Sequence, residues 1–120
     1  MPSNPESVHS FDETAALERI GGDRGLLAEI AVLFLQEYPE LLKSIRAGVA
    51  SQDAVLVERS AHSLKGSAAN FGAYACVESA LEIERHGKNG TLEHVPESLA
   101  ILEARLAVLH RELAALNPKA

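Results

Sequence analysis

The chain has 120 residues and is 47% hydrophobic, enough apolar material for one compact core and too little for two ordinary domains. Its net charge of −6 disfavours a nucleic-acid partner, because phosphate backbones attract Lys/Arg surfaces. A single cysteine, Cys76, excludes an internal disulfide, and no apolar run approaches the roughly 20 residues that span a bilayer. Aromatics are only 4% and Trp is absent, so Leu, Ala, Val and Ile must pack the interior, which suits close helix contacts. Residues 1–10 are polar, carry two prolines and lack the basic-then-apolar pattern of a secretory signal. They read as a disordered tail or the end of a linker, with a domain over 11–117 and a reducing cytoplasm as the setting.

Asp12 is placed to cap a short first helix with Ala16, Leu17 and Ile20 on one side, which Gly21 and Gly22 stop. Asp23 caps a longer second helix, whose apolar positions Leu26, Leu27, Ile30, Leu33, Phe34, Tyr38, Leu41, Leu42, Ile45 and Val49 recur at helical spacing. Pro39 removes a backbone donor there and predicts a kink near Tyr38, or an interruption. Gly48 to Asp53 reads as a turn into a third helix from about Gln52, with the stripe Val57, Ala61, Leu64, Ala68 and Phe71. Gly72 suits the left-handed residue that ends it. Tyr74, Val77, Ala80 and Leu81 begin a fourth helix, which Gly87 and Gly90 are expected to end. Leu92, Val95, Leu99, Leu102, Leu106, Leu109, Leu113 and Leu116 step by three and four, the seam of a last helix whose regular start Pro96 delays. Nothing alternates with period two. The pattern predicts an all-α fold, an antiparallel up-and-down four-helix bundle with an additional short N-terminal helix.

Chemistry concentrates on the third helix. At about 100° per residue, His62 lies off the apolar stripe, beside Glu58, Arg59, Lys65, Gly66 and Ala69. Ser63 and Gly66 keep the surface around the imidazole small. Glycine inside a helix costs roughly 1 kcal/mol relative to alanine, so Gly66 should serve either a partner's approach to His62 or close packing against another helix. Lys65, three residues on, can bring an ammonium to the same patch, where a phosphoryl group on the ring would gain a cationic donor. Glu84, seven residues after Val77, lies near the apolar stripe of the fourth helix. If that helix adjoins the third, Glu84 can accept from Nδ1–H of His62 and leave Nε2 free to attack phosphorus; the alternative is a boundary glutamate that reaches water.

The run His62-Ser63-Leu64-Lys65-Gly66, followed by Phe71-Gly72, resembles the signature of histidine-containing phosphotransfer (HPt) domains of bacterial and eukaryotic phosphorelays. The resemblance extends over nearly the whole chain, to Phe11-Asp12, the Gly21-Gly22-Asp23 junction and the Leu-rich second helix with its Pro39. It implies that His62 is phosphorylated on Nε2 by a receiver-domain phospho-aspartate and hands the group to a response-regulator aspartate. Lys65 would support the phosphoryl group, and Glu84 matches the position of a residue that orients the histidine. Glu58, Arg59, Ser63, Gly66, Ser67, Ala69 and Asn70 would form the receiver-docking face. The implied partners are response-regulator receivers, which bring the Mg²⁺, and a hybrid sensor histidine kinase. The carrier itself is expected to be a monomer without cofactor, nucleic-acid partner or membrane insertion.

No GxxxxGK[ST] run or glycine-rich nucleotide loop occurs, which argues against an autonomous kinase. Two rival readings are a docking-only bundle and a metal-binding bundle. Glu58/His62 and Glu82/His86 have four-residue spacing, yet the helices lack the Glu-x-x-His pairs of carboxylate-bridged sites. His9, His86, His94 and His110 read as surface residues, and Cys76 as packing.

Overall fold

In the computed structural model, residues 11–116 are described, and they form five α-helices. The tail expected at 1–10 lies outside them. Helix α1 (Glu13–Arg19) starts where the Asp12 carboxylate accepts from the Ala15 amide at 3.0 Å. It stops at two glycines with φ of +72° and +80°. Helix α2 (Arg24–Ala50) begins the same way, with Asp23 accepting from the Leu26 amide at 2.9 Å. It runs through Pro39 without interruption. Buried Phe34 before the proline and Leu42 and Ile45 after it anchor both sides, so packing outweighs one lost backbone bond.

Helix α3 (Ala54–Ala69) starts two residues later than expected. Gln52 takes a left-handed φ of +58°, the Asp53 amide bonds back to the Gly48 carbonyl at 2.8 Å, and Asp53 becomes the cap by accepting from the Leu56 amide at 3.1 Å. Helix α4 (Tyr74–Asn89) continues past Gly87 and ends only at Gly90, with φ +74°. A 3₁₀ turn, Leu92–His94, leads into α5 (Val95–Ala114), where Pro96 occupies the first turn, a position that needs no amide donor.

Helix α3 packs on both α2 and α4, and α5 on both α4 and α2. The core between them includes Ile45, Val57, Leu64, Phe71, Ile83, Leu102, Leu106 and Leu109, each at most 1% exposed. Phe71 joins the entry segment to the core: its ring meets Phe11 and Phe34, and its carbonyl accepts from the Asp12 amide at 2.9 Å. Three positions expected on buried stripes lie outside. Leu26, Leu33 and Tyr74 are exposed, because α2 turns Leu27, Ala31 and Phe34 inward and α4 turns Cys76, Ser79, Ala80 and Ile83 inward. Cys76 is fully buried, and that burial pushes its thiol up to about 11, so it packs as a small apolar group.

Candidate functional site

Buried Val57, Ala61, Leu64 and Ala68 fix the rotation of α3 and leave His62 pointing outward with 65% of its side chain exposed. The neighbouring helix α4 is fixed in turn by Ala80, Ile83 and Gly87, which brings Glu84 to the edge of the α3–α4 seam. The Glu84 side chain is only 13% exposed, and its two oxygens serve two partners. Oε2 lies 2.9 Å from His62 Nδ1, and Oε1 lies 2.7 Å from the Lys65 ammonium.

An ionised carboxylate can only accept, so the proton of a neutral His62 ring sits on Nδ1 and the Nε2 lone pair faces solvent. Burial pushes the Glu84 carboxyl up. The Lys65 ammonium and the hydrogen bond from His62 outweigh that push and hold it below the usual glutamate value of 4.5. Glu84 is therefore ionised at neutral pH. Lys65, 26% exposed, makes its ion pair with Glu84 and so steadies the carboxylate that holds the imidazole.

The surface around the ring is open. A shallow groove beside it is lined by Val55, Glu58, Arg59, His62, Ser63 and Glu84. A Cβ added at Gly66 would meet nothing within 4 Å, so close packing against another helix does not explain this glycine. Arg59, Ser63 and Asn70 are exposed, and Glu58, Ser67 and Ala69 are half-buried. Ser67 donates to Glu37 of α2 at 2.8 Å, which links the site's helix to α2, and Asn70 stands at the C-terminal cap of α3.

Two neighbours of the site escaped the sequence reading. Val55, 54% exposed, precedes His62 by seven residues and so shares its face; that spacing was an available signal. Glu37 lies on another helix, and no local pattern pairs it with Ser67.

The residues from 29 to 117 match the Hpt domain family. The chain is 30% identical over 102 residues to the sensor protein TorS of Escherichia coli, an alignment covering 79% of this chain and 11% of that much longer protein. It is 32% identical over 87 residues to the phosphorelay protein LuxU of Vibrio vulnificus, covering 72% of this chain and 74% of LuxU. Its fold superposes with a TM-score of 0.83 on the crystal structure of histidine-containing phosphotransfer protein B from Pseudomonas aeruginosa. That match covers 91% of this chain and 95% of the other, at 22% identity. An all-helical fold, a solvent-facing histidine held by a carboxylate on the next helix, and the match over 29–117 converge: the chain belongs to the Hpt domain family, the histidine phosphotransfer modules of phosphorelays.

Proposed function

We propose that His62 is the phospho-accepting residue, taking a phosphoryl group on Nε2 from a receiver-domain phospho-aspartate and passing it to the aspartate of a response regulator. The observation that carries this reading is the 2.9 Å contact between His62 Nδ1 and the Glu84 carboxylate. It orients the ring, sets the tautomer and stabilises the cationic character the imidazole gains as the N–P bond forms. As His62 Nε2 bonds to phosphorus, the bond to the donor aspartate oxygen breaks, and the reverse displacement at a second aspartate completes the relay.

Lys65 sits one helical turn from His62 and acts in two ways. Before transfer its ammonium steadies Glu84; after transfer it donates to the phosphoryl oxygens in this reading. Glu58, Arg59, Ser63, Gly66, Ser67, Ala69 and Asn70, with Val55, form the face on which a receiver docks. The receiver brings the Mg²⁺ and most of the charge stabilisation, so this chain supplies a positioned nucleophile and no kinase chemistry of its own. Its partners are response-regulator receivers and a hybrid sensor histidine kinase, met in the cytoplasm by a monomer. The four long helices, joined by short connections, are read as an antiparallel up-and-down bundle with α1 as an added N-terminal piece.

The test is to mix the full chain with a phosphorylated receiver and look for an acid-labile, alkali-stable label. His62→Gln should abolish it, and a label that persists in that variant would sink the assignment. Glu84→Ala should slow transfer with receiver affinity little changed, whereas Glu84→Gln, which can still accept from Nδ1–H, should slow it less. Equal rates in wild type and Glu84→Ala would remove Glu84 from the mechanism.

A further inference from the structure

We propose that His86 and His94 form a surface site for a divalent transition metal of the zinc class, on the side of α4 turned away from His62. His86 lies in the last turn of α4, Gly90 reverses the chain with φ +74°, and His94 closes the 3₁₀ turn that follows. The reversal brings the two imidazoles together, with ring centroids 5.4 Å apart and planes inclined by 36°.

That spacing is compatible with a shared ion. Zinc sits about 2.0–2.1 Å from a histidine nitrogen, hence roughly 3.2 Å from the ring centroid. Two rings bound at a tetrahedral angle then have centroids about 5.2 Å apart. His94 has 59% of its side chain in solvent, so the pair is open to an ion from outside.

His86 also has an outer hydrogen-bond partner in place. Its Nδ1 lies 2.8 Å from Thr91 Oγ1, and the Thr91 hydroxyl donates to the His86 carbonyl oxygen at 3.5 Å. In the tautomer whose Nδ1–H donates to Thr91 Oγ1, the Nε2 lone pair of His86 is available as a ligand. Outer hydrogen bonds of this kind orient metal-binding histidines.

Glu82 and Glu97 line the same groove as the two histidines, together with Ser98 and Ile101. Both carboxylates are exposed. Among the described residues no three potential ligands already converge on one point. The histidine pair is therefore the fixed half of the site, and one carboxylate swings in while water completes the coordination. Zinc tolerates such a mixed set because it has no geometric preference from its d electrons. Bound metal would cross-link the end of α4 to the turn before α5. Glu84 lies two residues before His86, about 200° around the helix, so the site would leave the phosphotransfer face untouched.

The experiment is a titration of the chelator-treated full chain with Zn²⁺ alone, against a competing chromogenic chelator, with ring signals followed by NMR. One equivalent should bind, shifting the His86 and His94 ring resonances and raising Tm. His94→Asn should weaken binding at least tenfold, and Thr91→Val, which removes only the outer hydrogen bond, by about tenfold. His62→Gln should bind as the wild type does. Because His94 is exposed, its variant tests the site without endangering the fold. Failure to bind zinc, unchanged affinity in the His86→Asn/His94→Asn double variant, or loss of binding in His62→Gln would each overturn the proposal.

Discussion

Gly66 and Gly87 both sit inside helices of one packed pair, although the sequence pattern reads the first as a helix-interior residue and the second as a helix end. In space they differ completely. A Cβ at Gly87 would come within 2.7 Å of the Glu58 amide nitrogen and 2.9 Å of its Cα, so the missing side chain is what lets α3 and α4 approach. A Cβ at Gly66 would meet nothing within 4 Å. The helix-weakening effect of glycine is offset by packing at Gly87, and nothing among the described residues offsets it at Gly66. The closed crossing holds Glu84 against His62, and the open patch leaves the ring accessible; one glycine lets two helices meet and the other leaves the surface beside them clear.

The contrast can be broken most sharply at the crossing. Gly87→Leu must push backbone atoms of Glu58 aside and is expected to destabilise by about 3 kcal/mol, read by chemical denaturation. Wild-type stability in that variant would show that the crossing is looser than its distances imply. A long side chain at the open patch should act on rate instead. Gly66→Gln is expected to keep the fold while slowing phosphotransfer from a receiver about tenfold, about 1.4 kcal/mol of barrier. Normal rates would remove the clearance argument.

A small side chain sharpens the comparison further. Gly66→Ala fills open space in a helix and should stabilise by up to about 1 kcal/mol, whereas Gly87→Ala should lose stability despite the same gain in helix propensity. Melting the two side by side decides it, and a shift of the same sign in both would erase the distinction. The smallest effect concerns the charge that links the two regions. The Glu84 pKa is lowered on folding from 4.5, so its contribution is present above the unfolded value and is lost as pH falls through the lowered one. The stability difference between wild type and Glu84→Gln should thus shrink as pH drops below 4.5, and a difference that widened toward acid would contradict the paired carboxylate.

Much of the fold was readable because its signals are local. Asp12 and Asp23 each stand just before a helix and accept from the amide three residues on, a contact decided within one turn, whereas the Asp53 cap was missed because Gln52 turns left-handed before it. The outward direction of His62 followed from the 3.6-residue period of its own helix. The errors came where a residue's surroundings are non-local. Leu33 and Tyr74 look like core residues by composition, yet each sits where no neighbouring helix covers it, at 64% and 62% exposure. Gly87 looked like a stop signal because glycine ends helices far more often than it lies at a crossing. Of the two outcomes Pro39 allowed, an interruption does not occur, because the turns on both sides of it are anchored in the core.

The sequence by itself determined that the chain would be helical, that Asp12 and Asp23 cap its first two helices, and that a histidine, a lysine and a glycine would share one solvent-facing stretch resembling the HPt signature. These follow from the geometry of a single helix, which repeats regardless of what lies beside it. Only the tertiary structure decided that Glu84 touches both His62 and Lys65, that Ser67 bonds to Glu37, and that Gly66 faces open space while Gly87 faces backbone. Each of these is a relation between two helices, and depends on a rotation and an approach distance set by the whole core.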